Sequence, residues 1–515
     1  MPPLRLLASG LLYIFLLQPS ACDATGVDAS TWSFDSPPPT FPTSRVDAVF
    51  PEGRVVPPLT GIGHIMLPWD HRGRQSGRDV VNGRGCVAEW NISRGGGDLS
   101  VGRSEATLMT RAQPTLTVLL VALALFNDML QMTMLLPIIP SLVSSPPPLG
   151  VKANAEVAMG IFFASKDLFQ LLAAPLAGLL TSRTSPKAAL ALSTVGLGLA
   201  TLIFAEATTF RHLLLARSCQ GAMSAATMCG GLSMISEAFP TETRGAAMGM
   251  AYMGLAMGIL TGPLIGGILF DRMGRRDAFR LAGTFVLANA VAQVVLMILT
   301  PSGAISEDKV SADASKRKRK NHSGPSALCA LVLNRHVMAV TLATAGIHAV
   351  LGVIRPLTLL VLEREFGMHI VARSFVITVA TGTYMVSTPL AGWLSDRIPR
   401  ARLVALSLGL MVLSTFLFTL RSLGLWAINA SVCALGLGLG FSASVGQALL
   451  ADLVDRHELG EYSMAFALSD MADSLGTILG PVIGLAVSQR FGPSAGANLI
   501  GLLCLVLIPS LLRIP

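Results

Sequence analysis

From residue 114 to residue 513 the chain reads as a nearly unbroken series of apolar segments separated by short polar interruptions. Their cores run over 115–142, 156–181, 188–206, 211–237, 245–270, 278–300, 336–361, 372–395, 402–420, 423–452, 462–488 and 495–512. Each is close to or above the roughly 20 residues that a helix needs to cross the hydrocarbon core. No polar face recurs at helical spacing, which excludes a soluble helical bundle. Gly and Pro punctuate many of the segments, and bilayer helices tolerate both where neighbouring helices cover the backbone. The longest polar interruption, 301–335, divides the segments six and six and contains Lys316-Arg317-Lys318-Arg319-Lys320. Lys and Arg concentrate in cytosolic loops, so this linker and both ends of the helical body are expected in the cytosol. Arg272, Arg275, Arg276 and Arg280 then face the other side.

Composition narrows the class further. Only 13% of the 515 residues are Asp, Glu, Lys or Arg, 52% are hydrophobic and Gly accounts for 50 positions. An average soluble domain carries roughly 25% charged residues. This is too little charge for the surface of a cytosolic enzyme or a nucleic-acid-binding domain. The net charge of +8 sits largely in the central linker and the N-terminal stretch, a bias toward membrane surfaces. Cys219, Cys229, Cys329, Cys433 and Cys504 lie in or beside apolar runs without metal-ligand spacing and are expected as small buried hydrophobes. No cofactor, metal cluster, nucleotide loop or paired nucleophile and base is expected, and hence no enzyme.

The two halves repeat each other. Pro175-Leu-Ala-Gly178 recurs as Pro389-Leu-Ala-Gly392, in register as far as Ala191-Leu-Ser193 and Ala405-Leu-Ser407. Gly258-x3-Gly262-Pro263-x2-Gly266 recurs as Gly476-x3-Gly480-Pro481-x2-Gly484. Two tandem six-helix bundles follow, with a substrate site at their interface near the bilayer midplane.

These residues resemble the major facilitator superfamily. Gly392-Trp-Leu-Ser-Asp396-Arg397-Ile-Pro-Arg400 is similar to its signature loop between the second and third helices of a half, here a gate loop of Asp396, Arg397 and Arg400. The first-half copy, Gly178-Leu-Leu-Thr-Ser182-Arg183, has Ser where many members have Asp. Gly249, Gly258, Gly262, Pro263, Gly266 and Gly267 in the fifth helix match the superfamily's antiporter signature. A closer resemblance, across all twelve helices, is to the vesicular amine transporter branch, which exchanges monoamines or acetylcholine for protons. It rests on Asp128-x4-Thr133-x3-Pro137-Ile-Ile-Pro140, Phe163-Ala-Ser-Lys166, Ala216-Arg217-Ser-Cys-Gln220-Gly221, Gly254-Leu-Ala-Met-Gly258, Leu453-Val-Asp455 and Tyr462 with Asp470. The resemblance implies an all-α membrane protein with twelve transmembrane helices in two six-helix pseudo-repeats.

A charge at the bilayer centre costs at least about 2.5–3.5 kcal/mol on insertion scales, so charges kept there are functional candidates. They are Asp128 in the first helix, Lys166 and Asp167 in the second, Arg217 in the fourth, Arg355 in the seventh, and Asp470 and Asp473 in the eleventh, with His348 a further titratable group. By resemblance, Asp128 meets a substrate amine, Lys166 and Asp470 form an ion pair between the halves, and Arg217 tunes nearby proton carriers. Asp128, Arg217, Arg355 and Asp473 thus make up the expected substrate and proton pathway. Asp167 is expected to point about 100° away from Lys166. Asp455 and Glu237 read as gate or capping charges, and Met248, Met250, Met253 and Met257 as adaptable packing.

The departures bear on substrate. Where the resemblance implies an acid before the helix-seven proline, Arg355 precedes Pro356. A helix-ten acid is replaced by Ala443 and a helix-eleven tyrosine by Thr477. The matched positions then carry a net +1, or zero if Asp473 faces inward.

Five regions are expected. Residues 1–24 form a signal-like or targeting apolar segment and 25–112 a disordered polar extension rich in Gly, Pro, Ser and Arg. Residues 113–300 form the N-terminal six-helix bundle, 301–335 a basic cytosolic linker and 336–515 the C-terminal bundle. Cleavage after a signal peptide would place the extension, with its Asn91-Ile-Ser93 sequon, in a lumen and invert the body. An uncleaved extra helix, an organelle-targeting segment or initiation at Met109 would each remove that conflict. The expected function is alternating-access exchange of a small organic solute, amine-like or drug-like, for protons in a lipid bilayer, with no nucleic-acid partner. The rivals are a facilitator or symporter of a zwitterionic or anionic solute, and a non-transporting membrane sensor on the same fold.

Overall fold

The computed structural model describes residues 99–135, 138, 155–299, 325–368 and 370–514. They fall in one compact unit, Ser93–Pro515, while a second unit, Met1–Ile92, lies outside the described residues. The expected leader, the sequon, Pro137, Pro140 and the Lys316–Lys320 cluster also lie outside them.

Among the described residues every regular element is helical. Helices α1 to α4 are Leu99–Met134, Ala155–Arg183, Pro186–Glu206 and Phe210–Ala238. The run Thr241–Leu299 is broken at Gly274, whose φ of 72° is a left-handed turn that a side chain would strain. We label the parts before and after it α5 and α6. After a short helix Pro325–Leu333 come α7 (Arg335–Arg364), α8 (Ile370–Ser395) and α9 (Arg400–Thr419). Helix α10 runs from Leu425–Phe441 through a π-helical turn, Ser442–Gly446, into Gln447–His457. Helices α11 (Tyr462–Phe491) and α12 (Pro493–Leu512) complete the body.

Ten helical stretches are long and apolar enough to cross a membrane by length and composition. The difference from the twelve apolar segments has two sources. The α5–α6 run counts as one span, and α4 is too polar to qualify. Helix α4 lies in the interior, with Arg217, Gln220, Ser224 and Thr227 all buried. Its polar side chains meet protein rather than lipid, so its sequence need not be as apolar as its neighbours.

Three expectations need correction. Helix α1 begins at Leu99, inside the stretch expected to be disordered. Pro325–Leu333 is helical, inside the expected linker. Of the five cysteines, Cys229 and Cys504 are buried, Cys219 and Cys433 half-buried, and Cys329 exposed because its short helix lies at the periphery.

Packing repeats with a shift of six helices. Helix α1 lies against α5 as α7 does against α11, α2 against α4 as α8 against α10, and α3 against α4 and α6 as α9 against α10 and α12. Between the halves the principal contacts are α5 with α8 and α2 with α11. Several ends are capped by their own sequence: Ser185 accepts from Ala188 N at 3.1 Å, and Asn334 accepts from His336 N at 3.0 Å. The guanidinium of Arg275 donates to the carbonyls of Phe204, Ala205 and Ala207 at 2.8–3.0 Å, closing the C-terminus of α3. Arg276 and Arg280 pair with Glu206 at 2.9 and 2.6 Å. Three of the four arginines at the α5–α6 turn are therefore engaged in holding a helix end.

Candidate functional site

The charges singled out inside the apolar segments meet where the halves touch. Lys166 on α2 is 3% exposed; its Nζ donates to Oε1 of Gln170 at 2.9 Å and to Oγ of Ser224, on α4, at 3.2 Å. Ser224 Oγ donates to Oδ2 of Asp128 on α1, which is 1% exposed. Gln170 Nε2 donates to Oδ1 of Asp470 on α11 at 2.7 Å. The result is a continuous chain, Asp128–Ser224–Lys166–Gln170–Asp470, spanning four helices. The direct Lys166–Asp470 ion pair expected from the sequence is not made. Gln170, one turn after Lys166 on the same face of α2, lies between the two charges and bonds to both.

Gln170→Leu should uncouple that pair. Residues sharing one network show interaction energies of about 0.5–3 kcal/mol in double-mutant cycles. A cycle of Lys166→Ala and Asp470→Ala, read by thermal unfolding in detergent, should show coupling in the wild type and markedly less in the Gln170→Leu background. Equal coupling in both would mean that the amide is idle.

The remaining candidates fall into two places. Arg217 is fully buried on α4, donates to Oε1 of Gln220 at 3.1 Å, and stands 5.6 Å over the ring of Phe162. Gln220 continues to Thr201, and Thr201 to Gln131 on α1, so Arg217 joins a polar seam inside the first half. On the other side of the interface, Asp473 Oδ1 lies 3.2 Å from Nδ1 of His348, joining α11 to α7. Arg355 is half-buried with its Nε unpartnered, and its charge reaches Tyr384 on α8. Asp167 lies in the interior of α2, within Coulomb reach of Lys166, Arg217, His348 and Asp128.

The antiporter glycines divide between two tasks. A Cβ on Gly258 would meet Phe126 O at 2.6 Å and Leu130 N at 2.9 Å, and one on Gly266 would meet Met134 Cα at 2.8 Å. With Gly262 these form a stripe, four residues apart, that seats α5 on α1 around Asp128. Thr133 Oγ1 donates to Gly258 O at 3.0 Å across the same contact. Gly249 faces the other half, where a Cβ would meet Thr388 O at 2.8 Å and Gly392 Cα at 3.2 Å. Gly267 has open space around it, and Pro263 sits in the helix interior. In the second half Gly476, Gly480 and Gly484 seat α11 on α7 in the same way.

The gate loop closes one end of the interface. Asp396 accepts from the backbone N–H groups of Gly245 and Ala246 on α5 at 3.0 and 2.9 Å, and from Arg400 at 2.8 Å. Arg400 also bonds Asp452 on α10 and the carbonyl of Thr241. Arg244 donates to Asp452 at 3.1 Å, Asp455 at 2.9 Å and the hydroxyl of Tyr462 at 3.1 Å. Arg397 stays outside this cluster, exposed and 3.8 Å over the ring of Trp393. At the same end a Cβ on Gly178 would meet Ala467 Cβ at 2.8 Å. Both seams are thus shut at the end bearing the α2–α3, α4–α5, α8–α9 and α10–α11 turns.

A groove of ≈ 690 Å³ lies elsewhere, between α1 and α5 on the outer surface, lined by Val118, Leu119, Phe126, Met250, Met253 and Met257. It contains none of these charges. Leu119 is 58% exposed and Met250 45%, so the groove opens toward lipid.

Gln170, Ser224, Arg244 and Asp452 were not among the sequence candidates. Spacing marks Gln170, at i+4 from Lys166, and Ser224, seven residues beyond Arg217 on α4. Arg244 falls just before the apolar core that begins at 245.

The chain is 26% identical to the synaptic vesicular amine transporter of Bos taurus over 357 residues, 69% of the chain and 66% of the relative. It is 28% identical to the vesicular acetylcholine transporter of Rattus norvegicus over 371 residues, 70% of the chain and 66% of the relative. The chromaffin granule amine transporter of Rattus norvegicus is 28% identical over 347 residues, 65% of the chain and 62% of the relative. The match therefore spans just under two thirds of these relatives' own length. The family profile described as Major Facilitator Superfamily matches residues 121–357 and 340–515, nearly all of the helical body. The chain is a multi-pass integral membrane protein that belongs to the Major Facilitator Superfamily.

Proposed function

We propose that the chain is a secondary transporter that exchanges a small amine-bearing organic solute for protons by alternating access. One observation carries this reading: the buried charges of the two halves converge at their interface, joined by hydrogen bonds from Asp128 to Asp470. Such charges are costly in a membrane and a scaffold has no use for them. Asp128 is the acid that meets the amine, and Arg217 tunes the proton carriers beside it. The gate loop and the Gly249–Gly392 approach shut one end while the other admits solute. The amine and acetylcholine named in the relatives support the solute class.

A second reading is favoured by Arg355. Four acids, Asp128, Asp167, Asp470 and Asp473, face three bases, Lys166, Arg217 and Arg355, and Arg355 is the basic member contributed by the second half. A guanidinium whose Nε has no hydrogen-bond partner suits a solute that also bears a carboxylate. The test is uptake into proteoliposomes of phenylethylamine, phenylalanine and phenylacetate, with and without an acid interior. These share one body and differ in charge. Protein-dependent accumulation that needs the gradient is expected for the amine or the zwitterion. No accumulation of any of the three would remove the exchange reading. At 4 Å and an effective dielectric near 20 a unit charge contributes about 4 kcal/mol before desolvation and screening. A quarter of that is about fivefold in affinity per unit charge, and Arg355→Glu changes two. Arg355→Glu should therefore shift preference toward phenylethylamine by roughly tenfold or more. An unchanged preference in folded Arg355→Gln would remove Arg355 from selectivity.

A further inference from the structure

His348 sits on α7, seven residues before Arg355, about two helical turns. Its Nδ1 is 3.0 Å from the carbonyl oxygen of Thr344 and 3.2 Å from Oδ1 of Asp473. A carbonyl oxygen can only accept, so Nδ1 carries the hydrogen and Nε2 is the ring position left to gain or lose a proton. Asp473 Oδ1 has no directed hydrogen bond, because Nδ1–H points at Thr344. A carboxylate thus stands against the imidazole without being satisfied by it.

The pair is the more open part of this charge cluster. The two side chains are 24% and 25% exposed, where Asp128, Lys166 and Asp470 are nearly sealed. A Cβ on Gly476 would meet His348 Cβ at 3.0 Å, so α11 packs closely on α7 at this level. The charged and titratable groups around it are Arg355 on α7, Asp470 on α11, Asp167 on α2, Tyr252 on α5 and Tyr384 on α8. Helix α12 contributes no titratable residue other than Cys504, and α9 carries its arginines only at the closed end. Asp470 is held by Gln170, and Asp396, Asp452 and Asp455 are engaged in the gate. Glu363 and Glu365 are paired with Arg373 and Arg421.

We infer that His348, with Asp473 as its counter-charge, is a proton-binding site of the second half. The inference rests on the proton exchange proposed above and names one group that carries it. Nε2 takes a proton from the open side and the ring becomes imidazolium. The Asp473 carboxylate offsets the new charge without receiving the proton. Release on the other side restores the neutral ring, so one proton enters and one leaves. The bland alternative is a strut between α7 and α11, which would hold the helices together and bind no proton during turnover.

Two measurements on the full-length protein decide. First, dye-monitored acid titration of the purified protein between pH 7.5 and 5.5, the interval in which histidines change charge, should show His348→Gln and Asp473→Asn each taking up about one proton fewer than wild type. Equal uptake by all three proteins overturns the site. Second, His348→Gln proteoliposomes should lose gradient-driven accumulation of phenylethylamine or phenylalanine about tenfold or more. Solute-for-solute exchange without a gradient should stay within about twofold. Parallel loss of both supports the strut and overturns the inference. If wild type shows no gradient-driven accumulation, the exchange reading fails, and the titration still decides whether His348 binds a proton.

Discussion

Asp128→Asn should abolish solute uptake while leaving a folded, membrane-inserted protein. The substitution is nearly isosteric and keeps an oxygen that can accept from Ser224, so the local bond survives. What goes is the negative charge at the head of the chain that runs to Asp470. A charged hydrogen-bond partner contributes about 1.5–3 kcal/mol, against 0.5–1.5 for a neutral one. The solute's amine loses its counter-ion, and Lys166 loses an anion one hydroxyl away. Uptake should fall by about two orders of magnitude, with the elution profile and melting temperature nearly those of wild type. Normal uptake by the variant would remove Asp128 from the site and move the search to Asp167, one position from Lys166 and also in Coulomb reach of Arg217.

Two glycine substitutions in the same helix should fail in opposite ways. Gly258→Val places two methyl groups where Phe126 O and Leu130 N already stand within 3 Å of a Cβ. Backbone cannot yield as a flexible side chain can, and overpacking of this kind costs about 1–3 kcal/mol or more. The variant should be poorly folded, because α1 can no longer seat on α5. Gly249→Val meets backbone as well, but of the other half, at Thr388 and Gly392. That strain disappears if the halves part. The variant should fold and rest with the gated end open. Ser463, 3% exposed at this end of the α2–α11 seam, provides the readout. In a background without native cysteines, Ser463→Cys should react with maleimide roughly tenfold faster when Gly249→Val is present. Equal rates, or unfolding of both glycine variants alike, would mean that Gly249 does not govern closure.

The sequence signalled charges by their incongruity. Asp128, Lys166, Arg217, Asp470 and Asp473 interrupt long apolar runs; the first four are buried in protein and Asp473 is a quarter exposed. Gln170 was silent because an amide in such a run is unremarkable in cost, and only its partners show what it bridges. Arg244 was silent for another reason: at a helix end a charge is cheap, so its presence says little until Asp452 and Asp455 are seen around it. Repeats at Gly178 and Gly392 foretold the symmetry of packing. They did not foretell that Ser182, in place of an acid, leaves the first-half loop without the backbone contact that Asp396 makes. Segment counting placed α4 at 211–237, within a residue of its ends, and met its limit at α1, which starts earlier than its apolar stretch.

Only one bond of the Asp128–Asp470 chain crosses from one half to the other, the 2.7 Å contact between the Gln170 amide and Asp470. Every other link stays within the first half. In the alternating-access cycle proposed above, the lysine therefore travels with Ser224 and Gln170 and keeps its ligands. A direct Lys–Asp pair would have to be pulled open at each cycle, exposing two bare charges at a cost of about 3–5 kcal/mol. Exchanging an amide–carboxylate bond for bonds to water costs about 1–3 kcal/mol. At about 1.4 kcal/mol per tenfold, that difference would favour parting of the halves by roughly tenfold. The glutamine acts as a clutch: it transmits the presence of charge across the seam yet disengages without leaving a buried ion alone.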